Sequence, residues 1–310
     1  MANVTMMTGF LLLDFANTWE IQVLHALFFL MIYLVSLIGN LLIFTLISLD
    51  KNLQSPMYFF LKNLSFLDLC FISTTLPKSV TNSLSHSRSI SFMGCVLQFF
   101  LVILFAASEL FLLTTMSYDR YVAICQPLHY KIIMNKGMCV KMATVSWLGG
   151  GLFGAFYSAC TFTLPFCSSK ELHQFFCDFP SLLRLSCSNI HIGVDVTLAF
   201  GVIAGIFCFI LISISYGPIF STVLKIQTTE GRSKAFSTCL PHLIVLMIFI
   251  ITSITVYLKP SQKQSDSILD LLLSIFYTVV PPTLNPLIYS LRNKDIKNSL
   301  RNLIAWKHFS

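Results

Sequence analysis

Long apolar stretches, separated by short polar segments, follow one another along this chain of 310 residues. An α-helix needs about 20 mostly apolar residues to cross a bilayer core of about 30 Å. Seven stretches are long enough and predict seven membrane-spanning helices, at 24–49, 57–80, 95–123, 142–164, 195–224, 237–258 and 269–290. We therefore predict an all-α membrane protein, a seven-transmembrane helix bundle that forms one domain over residues 1–310.

The composition supports a membrane location. Charged residues make up 11% of the chain, apolar residues 55%, and the mean hydropathy is +0.79. A soluble domain carries about 25% charged residues and a smaller apolar share. The composition thus excludes a soluble globular protein.

The basic residues predict the orientation of the bundle, because they concentrate on the cytoplasmic side of membrane proteins. An extracellular N-terminus (1–23) leaves a long extracellular loop at 165–194 and a cytoplasmic tail at 291–310. Fourteen basic residues then lie on or near the cytoplasmic side: Lys51, Lys62, Arg120, Lys131, Lys136, Lys141, Lys225, Arg232, Lys234, Arg292, Lys294, Lys297, Arg301 and Lys307. The net charge of +7 is explained by contact with anionic lipid, without a nucleic-acid partner.

The tail has the pattern of an amphipathic helix. Its apolar face is formed by Ile296, Leu300, Leu303 and Ile304, while Lys294, Lys297 and Arg301 lie elsewhere on the helix. A basic amphipathic helix binds the surface of a membrane. We therefore expect a short helix along the cytoplasmic face.

The predicted outer side carries cysteines that can form disulfide bonds and a sequence that can be glycosylated. Cys95, Cys167, Cys177 and Cys187 fall there, so two disulfide bridges are expected, and four cysteines allow three pairings. Asn3 begins the glycosylation sequon Asn-Val-Thr. No His/Cys pattern has the usual spacing of a zinc site, so we expect no metal and no cofactor.

Ionisable and amide side chains inside the apolar stretches need partners, because lipid offers none. Asp119 and Arg120 close the third stretch, and Asn40, Asp68, Glu109 and Asn285 lie within others. The latter four are expected to face one another as a polar core. Either a proton, water or a cation there biases two packings of the bundle, or the groups simply form hydrogen bonds between helices.

Four segments together carry a family resemblance. They read PMYFFLKNLSFLD from Pro56, MSYDRYVAICQPLHY from Met116, KAFSTC from Lys234 and PPTLNPLIYSLRNK from Pro281. Gly39-Asn40, Ser215-Tyr216 and the segment 173–187 also match. The chain resembles the olfactory (odorant) receptors, which are rhodopsin-like (class A) G-protein-coupled receptors, over nearly its whole length.

The resemblance implies a set of bonded and switching residues. It pairs Cys95 with Cys177 and Cys167 with Cys187. It implies that Arg120 pairs with Asp119 at rest and contacts a heterotrimeric G protein when the sixth helix swings outward. The implied activation switch and G-protein site consist of Asp119, Arg120, Tyr121, Tyr216, Asn285, Pro286 and Tyr289.

The resemblance also implies a small-molecule odorant as ligand and a G protein of the stimulatory (olfactory) type as partner. It implies that the receptor lies in the plasma membrane. The implied pocket residues are Val102, Ile103, Ala106, Ala107, Phe200, Ala204, Ser253, Ile254, Tyr257 and Thr278; ordinary helix packing is an equal alternative for most. The outer half of the third helix, 95–107, contains no acid. A buried ammonium needs a carboxylate, so an amine ligand is disfavoured.

The chain departs from the family pattern at Pro241, where serine is usual, and at Ile250-Ile251, where a tyrosine and a glycine are usual.

Other functional classes have less support in the sequence. Absent repeats argue against a transporter, and no filter-like loop suggests a channel. His242 lacks a nucleophile at recognisable spacing, so we predict a polar contact and no enzyme. A rhodopsin-like receptor for a non-odorant small molecule, lipid or peptide is the nearest alternative.

Overall fold

Helices dominate the structure, a computed structural model that describes residues 9–12, 18–85, 88–166, 171–172, 174–186, 192–257, 267–292 and 294–306. In chain order the elements are β1 (Gly9–Leu11), α1 (Trp19–Leu49), α2 (Pro56–Ser85), β2 (Ser89–Ser91), α3 (Phe92–Cys125), α4 (Tyr130–Ile133), α5 (Lys136–Phe162), α6 (Phe179–Leu185), α7 (Ile192–Lys225), α8 (Thr229–Tyr257), α9 (Ser267–Arg292) and α10 (Lys294–Trp306). The long ones are α1, α2, α3, α5, α7, α8 and α9, which correspond in order to the apolar stretches.

Most long helices extend past the apolar stretches that predicted them. The clearest case is α8, which begins at Thr229, whereas its apolar stretch begins at residue 237. Backbone hydrogen bonds continue a helix through polar residues, so hydropathy marks the membrane core and not the helix end. By length and hydropathy, α1, α2, α3, α5 and α7 each suit a membrane crossing, and α8 does so as one bent helix.

The long helices form a closed bundle around α3. Contacts run around the bundle from α1 to α2, then through α3 to α5 and α7, and back through α8 and α9 to α1. Helix α3 touches α2, α5, α7 and α8. The third helix is therefore the element through which the others can be coupled.

The outer surface of the bundle is apolar. On α1, Leu24, Met31 and Ile38 recur at seven-residue intervals and are each more than 60% exposed. Leu152 of α5 and Ile203 of α7 are exposed to a similar degree. A soluble monomer rarely exposes so much contiguous apolar surface, whereas lipid accepts it. The structure is that of a helical membrane bundle, as the sequence predicts.

Helix α8 is bent by 41° between Thr229–Ser237 and Cys239–Ile251. Pro241 lies just beyond the bend. A proline inside a helix has no N–H to donate and its ring clashes with the carbonyl four residues earlier, here that of Ser237. The departure from the family pattern at Pro241 therefore accounts for the position of the bend.

One end of the bundle, the strand end, is covered by a small sheet. Strand β1 pairs antiparallel with β2, and Leu172 N donates to Leu11 O at 2.7 Å. Phe10 and Leu12 are 1% and 2% exposed and pack in an apolar cluster around Cys95. Hydropathy alone assigned this segment to a plain N-terminal tail, because its pairing partners lie far along the chain.

The opposite end, the α10 end, carries α4 and the amphipathic helix α10. Ile296 is 1% exposed, while Lys297 and Arg301 are exposed, so the side of α10 that carries Ile296 faces the protein. The Tyr58 hydroxyl donates to Asp295 at 2.8 Å, and the Ser299 hydroxyl donates to Asp50. The bond from Ser299, followed by that from the Asn52 backbone, lowers the pKa of Asp50. Helix α10 is thus attached to α1 and α2.

Candidate signalling site and ligand-binding region

A buried ion pair lies where α3 approaches α4. Arg120 Nε donates to Asp119 Oδ2 at 3.1 Å, and Nη2 donates to the same oxygen. The Tyr130 hydroxyl donates to Asp119 Oδ1 at 2.8 Å. Burial, followed by the nearby charge of Asp119, raises the pKa of Tyr130, so its phenol stays neutral and donates. Asp119 is 1% and Arg120 9% exposed, so the pair is shielded from solvent.

A second buried contact joins three long helices through one imidazole. His242 of α8 lies 2.6 Å by Nδ1 from the Tyr216 hydroxyl of α7, and 3.0 Å by Nε2 from the Leu113 carbonyl of α3. A carbonyl only accepts, so Nε2 carries the hydrogen and Nδ1 accepts from the phenol. This contact agrees with the polar role predicted for His242. It holds α8 against α3 at mid-helix.

The structure brings three of the four polar-core residues together. Asn285 Nδ2 donates to Asp68 Oδ2 at 3.0 Å and to Glu109 Oε1 at 3.2 Å. Asp68 and Glu109 are 0% and 4% exposed. One amide group from α9 therefore links two carboxyl groups, one on α2 and one on α3.

Asn40 lies next to α9 but bonds to backbone instead of to the carboxyl groups. Its Nδ2 donates to Pro282 O at 2.8 Å and to Ser36 O at 3.0 Å. In a regular helix Pro282 O would accept from residue 286, but Pro286 has no N–H. Asn40 thus supplies the missing donor. A Cβ on Gly39 would lie 3.2 Å from Pro286 Cβ, so the neighbouring glycine permits this close approach.

Two other predicted switch residues have different surroundings. Tyr289 is 3% exposed, and its hydroxyl has no hydrogen-bond partner within the described part of the chain. The Tyr121 hydroxyl accepts from Gln126 Nε2 at 3.3 Å. Tyr121 therefore lies beside the loop that follows α3, whereas Tyr289 is buried in the bundle.

The predicted pocket residues are distributed over several environments. On α3, Val102 is buried, and Ile103, Ala106 and Ala107 are half-buried. Ala204 of α7 is also half-buried, and Thr278 of α9 is fully buried. The side chains of Ser253, Ile254 and Tyr257 lie outside the described residues.

Phe200 has a different neighbourhood from the α3 residues. Its ring centroid lies 4.7 Å from that of Phe153 and 5.0 Å from that of Phe156, both on α5. The side chain is 42% exposed. Its ring therefore occupies the seam between α5 and α7.

The predicted bond between Cys95 and Cys177 is present, with Cα atoms 5.6 Å apart. Cys167 and Cys187, like Asn3, lie outside the described residues. The flanking residues Phe166 and Ser186 form an antiparallel β-bridge. The disulfide ties the segment 174–178, which we call the roof segment, to the start of α3.

Comparisons with known proteins identify the family of this chain. A family profile described as "Olfactory receptor" matches residues 29–307. Human olfactory receptor 14A2 is 57% identical over 304 residues, which are 98% of this chain and 96% of the relative. Human olfactory receptor 14A16 is 54% identical over 307 residues, which are 99% of each chain. The chain belongs to the olfactory receptor family.

Membership of this family identifies the chain as an odorant-type G-protein-coupled receptor and not an enzyme, as the sequence predicts. Membership of the family also implies seven membrane spans. Human olfactory receptor 14K1, 53% identical over 98% of this chain and 96% of its own length, extends the same likeness. The buried contacts described above are therefore contacts within an olfactory receptor.

Sequence reasoning missed three residues that join the roof segment to the long helices: Gln98, Asp178 and Tyr277. Gln98 is an isolated amide in an apolar helix, a signal equivalent to the one that identified Glu109. Asp178 precedes a proline two residues on, and its Oδ1 accepts from Ser181 N at 3.2 Å as the cap of α6. That capping pattern was readable from the sequence, whereas the partner of Tyr277 was not.

Proposed function

We propose that this receptor binds a small, largely apolar, volatile molecule within its transmembrane bundle and activates a stimulatory (olfactory) heterotrimeric G protein that raises cAMP. The proposal assigns the strand end to the extracellular side of the plasma membrane and the α10 end to the cytoplasm. The observation that carries it is the buried pair of Asp119 and Arg120 at the α10 end of the central helix. In this pair the charge of Arg120 is neutralised by the carboxylate of Asp119, and a group on the G protein can take the place of that carboxylate.

The proposed switch is the displacement of α8 from α3. In the described arrangement, His242 connects α8 to the Leu113 carbonyl and to Tyr216. Outward movement of α8 breaks both hydrogen bonds and frees the Tyr216 hydroxyl for a new partner. Arg120 then leaves Asp119 and, together with Tyr121, contacts the G protein. Each broken bond costs about 1 kcal/mol, so the ligand must favour the open packing by a few kcal/mol.

The polar core is proposed to bias the two packings, through a proton, water or a cation near Asp68 and Glu109. Both carboxyl groups face one amide of Asn285. Two like charges a few ångströms apart repel by about 3 to 4 kcal/mol at an effective dielectric constant of 20. A proton on one of the two groups, or a cation between them, removes this repulsion and stabilises the described packing.

We expect Asp68→Asn and Glu109→Gln to weaken signalling. Each variant fixes one of the two groups in a neutral form, so the resting packing no longer has to take up a proton or a cation and becomes more stable. The agonist concentration for half-maximal cAMP should rise about fivefold or more, measured at matched surface expression. Asp195→Asn, at an exposed position of α7, is the control. An unchanged response in both core variants would show that these groups only hold helices together.

The ligand class follows from the outer half of α3, where residues 95–107 include no acid. Dispersion contacts to apolar walls and one or two hydrogen bonds suit a weakly polar molecule. The proposed contacts are Val102, Ile103, Ala106, Ala107, Phe200, Ala204, Ser253, Ile254, Tyr257 and Thr278. Primary amines should be poor ligands.

A panel of volatile compounds tests this function directly. Cells that display the tagged receptor are exposed to alcohols, aldehydes, esters, ketones and amines, and cAMP is recorded against empty-vector cells. We expect neutral compounds to raise cAMP and amines to fail. A ligand-dependent current without cAMP would contradict the receptor proposal. Activation by a lipid or peptide alone would favour the alternative ligand class.

A further inference from the structure

The roof segment, residues 174–178, lies within the bundle instead of above it. Every one of its five residues is at most 5% exposed. Phe175 packs against Phe29 of α1 with ring centroids 5.3 Å apart, and its carbonyl accepts from the Ser79 hydroxyl of α2 at 3.1 Å. The segment therefore contacts the first two helices through one residue.

The next residues of the roof segment contact α3. Cys177 N donates to Gln98 Oε1 at 2.9 Å, and Gln98 Nε2 donates to the Thr74 carbonyl of α2 at 3.0 Å. The same Cys177 is bonded to Cys95. A disulfide and a buried hydrogen bond at one residue hold the roof segment rigidly against α3 and α2.

The contact of the roof segment with α9 includes a hydrogen bond that depends on one hydroxyl group. The Tyr277 hydroxyl donates to Asp178 Oδ2 at 3.1 Å, and the ring meets Phe176 edge-on with centroids 6.0 Å apart. Asp178 Oδ1 accepts from Ser181 N. The carboxylate therefore joins α9 to the cap of α6.

Tyr277 lies just before a part of α9 that lacks two backbone hydrogen bonds. Pro281 and Pro282 follow within five residues, and neither can donate a backbone hydrogen bond. The carbonyls of residues 277 and 278 thus lack their regular helical donors. Fewer backbone hydrogen bonds therefore hold the outer part of α9 to the part that carries Asn285. Its position must come from contacts with other elements, and the roof segment supplies one.

We propose that the hydrogen bond between Tyr277 and Asp178 is a latch that holds the outer part of α9 against the roof segment and stabilises the resting receptor. The bond coexists with the resting pair of Asp119 and Arg120 and with the link from His242 to α3. A ligand that displaces α9 must break the latch. Tyr277 and Asp178 are thus positioning residues that set the ligand-free activity, an inference that rests on the proposed function.

Two single variants and their combination test the latch. Tyr277→Phe keeps the ring against Phe176 and removes only the hydroxyl. Asp178→Ser keeps a good capping residue for α6 but removes the second oxygen that reaches Tyr277. Tyr33→Phe is the matched control, because its hydroxyl makes only a 3.4 Å contact with Ser73.

The first readout is cAMP without added ligand, divided by surface receptor. Each single variant should raise it about three- to tenfold, as expected for the loss of one hydrogen bond. The double variant should not exceed the larger single effect, because both changes remove the same bond. If the wild-type receptor raises cAMP, unchanged ligand-free cAMP in the single variants, or full additivity in the double variant, would overturn the latch. If Asp178→Ser does not reach the surface, Tyr277→Phe decides the result.

The second readout does not depend on signalling. Hydrogen–deuterium exchange of the purified receptor reports on the amides of residues 174–186. We expect faster exchange in both single variants and wild-type exchange in Tyr33→Phe; equal exchange in all of them would overturn the latch. If neither wild type nor any variant raises cAMP while forskolin does, the proposed G-protein coupling has failed, and the exchange result alone decides the latch.

Discussion

Arg120→Ala should abolish G-protein activation while ligand binding and surface expression persist. Arg120 is the only described residue that forms an ion pair with Asp119, and it lies at the end of α3 proposed to meet the G protein. Alanine removes both the positive charge and the planar donor group. We expect ligand-stimulated cAMP to fall by at least about 100-fold, because truncating one partner of a buried charge pair at an interface costs about 2 to 5 kcal/mol.

Related substitutions separate the role of Arg120 from a general loss of charge. Arg120→Lys keeps the charge but loses the paired donors of the guanidinium, so its signalling should be intermediate. Lys141→Ala removes an exposed basic residue near the α10 end and should leave signalling intact. Asp119→Asn weakens the resting pair and should raise ligand-free cAMP. Normal signalling by Arg120→Ala at wild-type surface levels would contradict the proposed output site.

Gly150→Ala should strongly destabilise the folded receptor, whereas Gly151→Ala should not. A Cβ on Gly150 would lie 2.0 Å from Ser108 Oγ and 2.5 Å from the Leu104 carbonyl of α3, and a backbone atom cannot move aside. The α3–α5 contact must therefore open, at a cost of about 1 to 3 kcal/mol or more. At Gly151 the same Cβ meets nothing within 4 Å.

Thermal unfolding of the purified receptor measures the difference between the two glycines. We expect Gly150→Ala to lower the melting temperature by at least about 5 °C. Gly151→Ala should leave it unchanged or raise it slightly, since alanine favours a helix over glycine by about 1 kcal/mol. Equal melting temperatures would mean that α5 does not pack on α3 through Gly150.

The polar core illustrates how far residue type predicts contacts. That Asp68, Glu109 and Asn285 would meet followed from the lack of partners in lipid. The same argument grouped Asn40 with them, yet Asn40 bonds to the Pro282 carbonyl, 242 residues away. The missing N–H of Pro286 created that acceptor. The need for a partner was therefore predictable, but its identity depended on how α1 approaches α9.

The extracellular end, as proposed here, was the least predictable part. Phe10 and Leu12 lie in a short apolar patch that hydropathy treats as a tail, yet they are 1% and 2% exposed under the small sheet. Strand β1 has no partner nearby in the chain, because β2 lies about 80 residues later. Asp178 and Tyr277 meet across 99 residues for the same reason. Such contacts depend on loop paths that no local pattern specifies.

The sequence by itself determined the membrane bundle, the helix order and the family, because helical hydrogen bonds are local and lipid requires long apolar stretches. It also marked Asp119 and Arg120 as an ion pair, since the two residues are adjacent. Only the tertiary structure decided that His242 bonds to Leu113 and that the roof segment reaches α9. Those bonds join residues far apart in the chain, and their geometry exists only after the helices have packed.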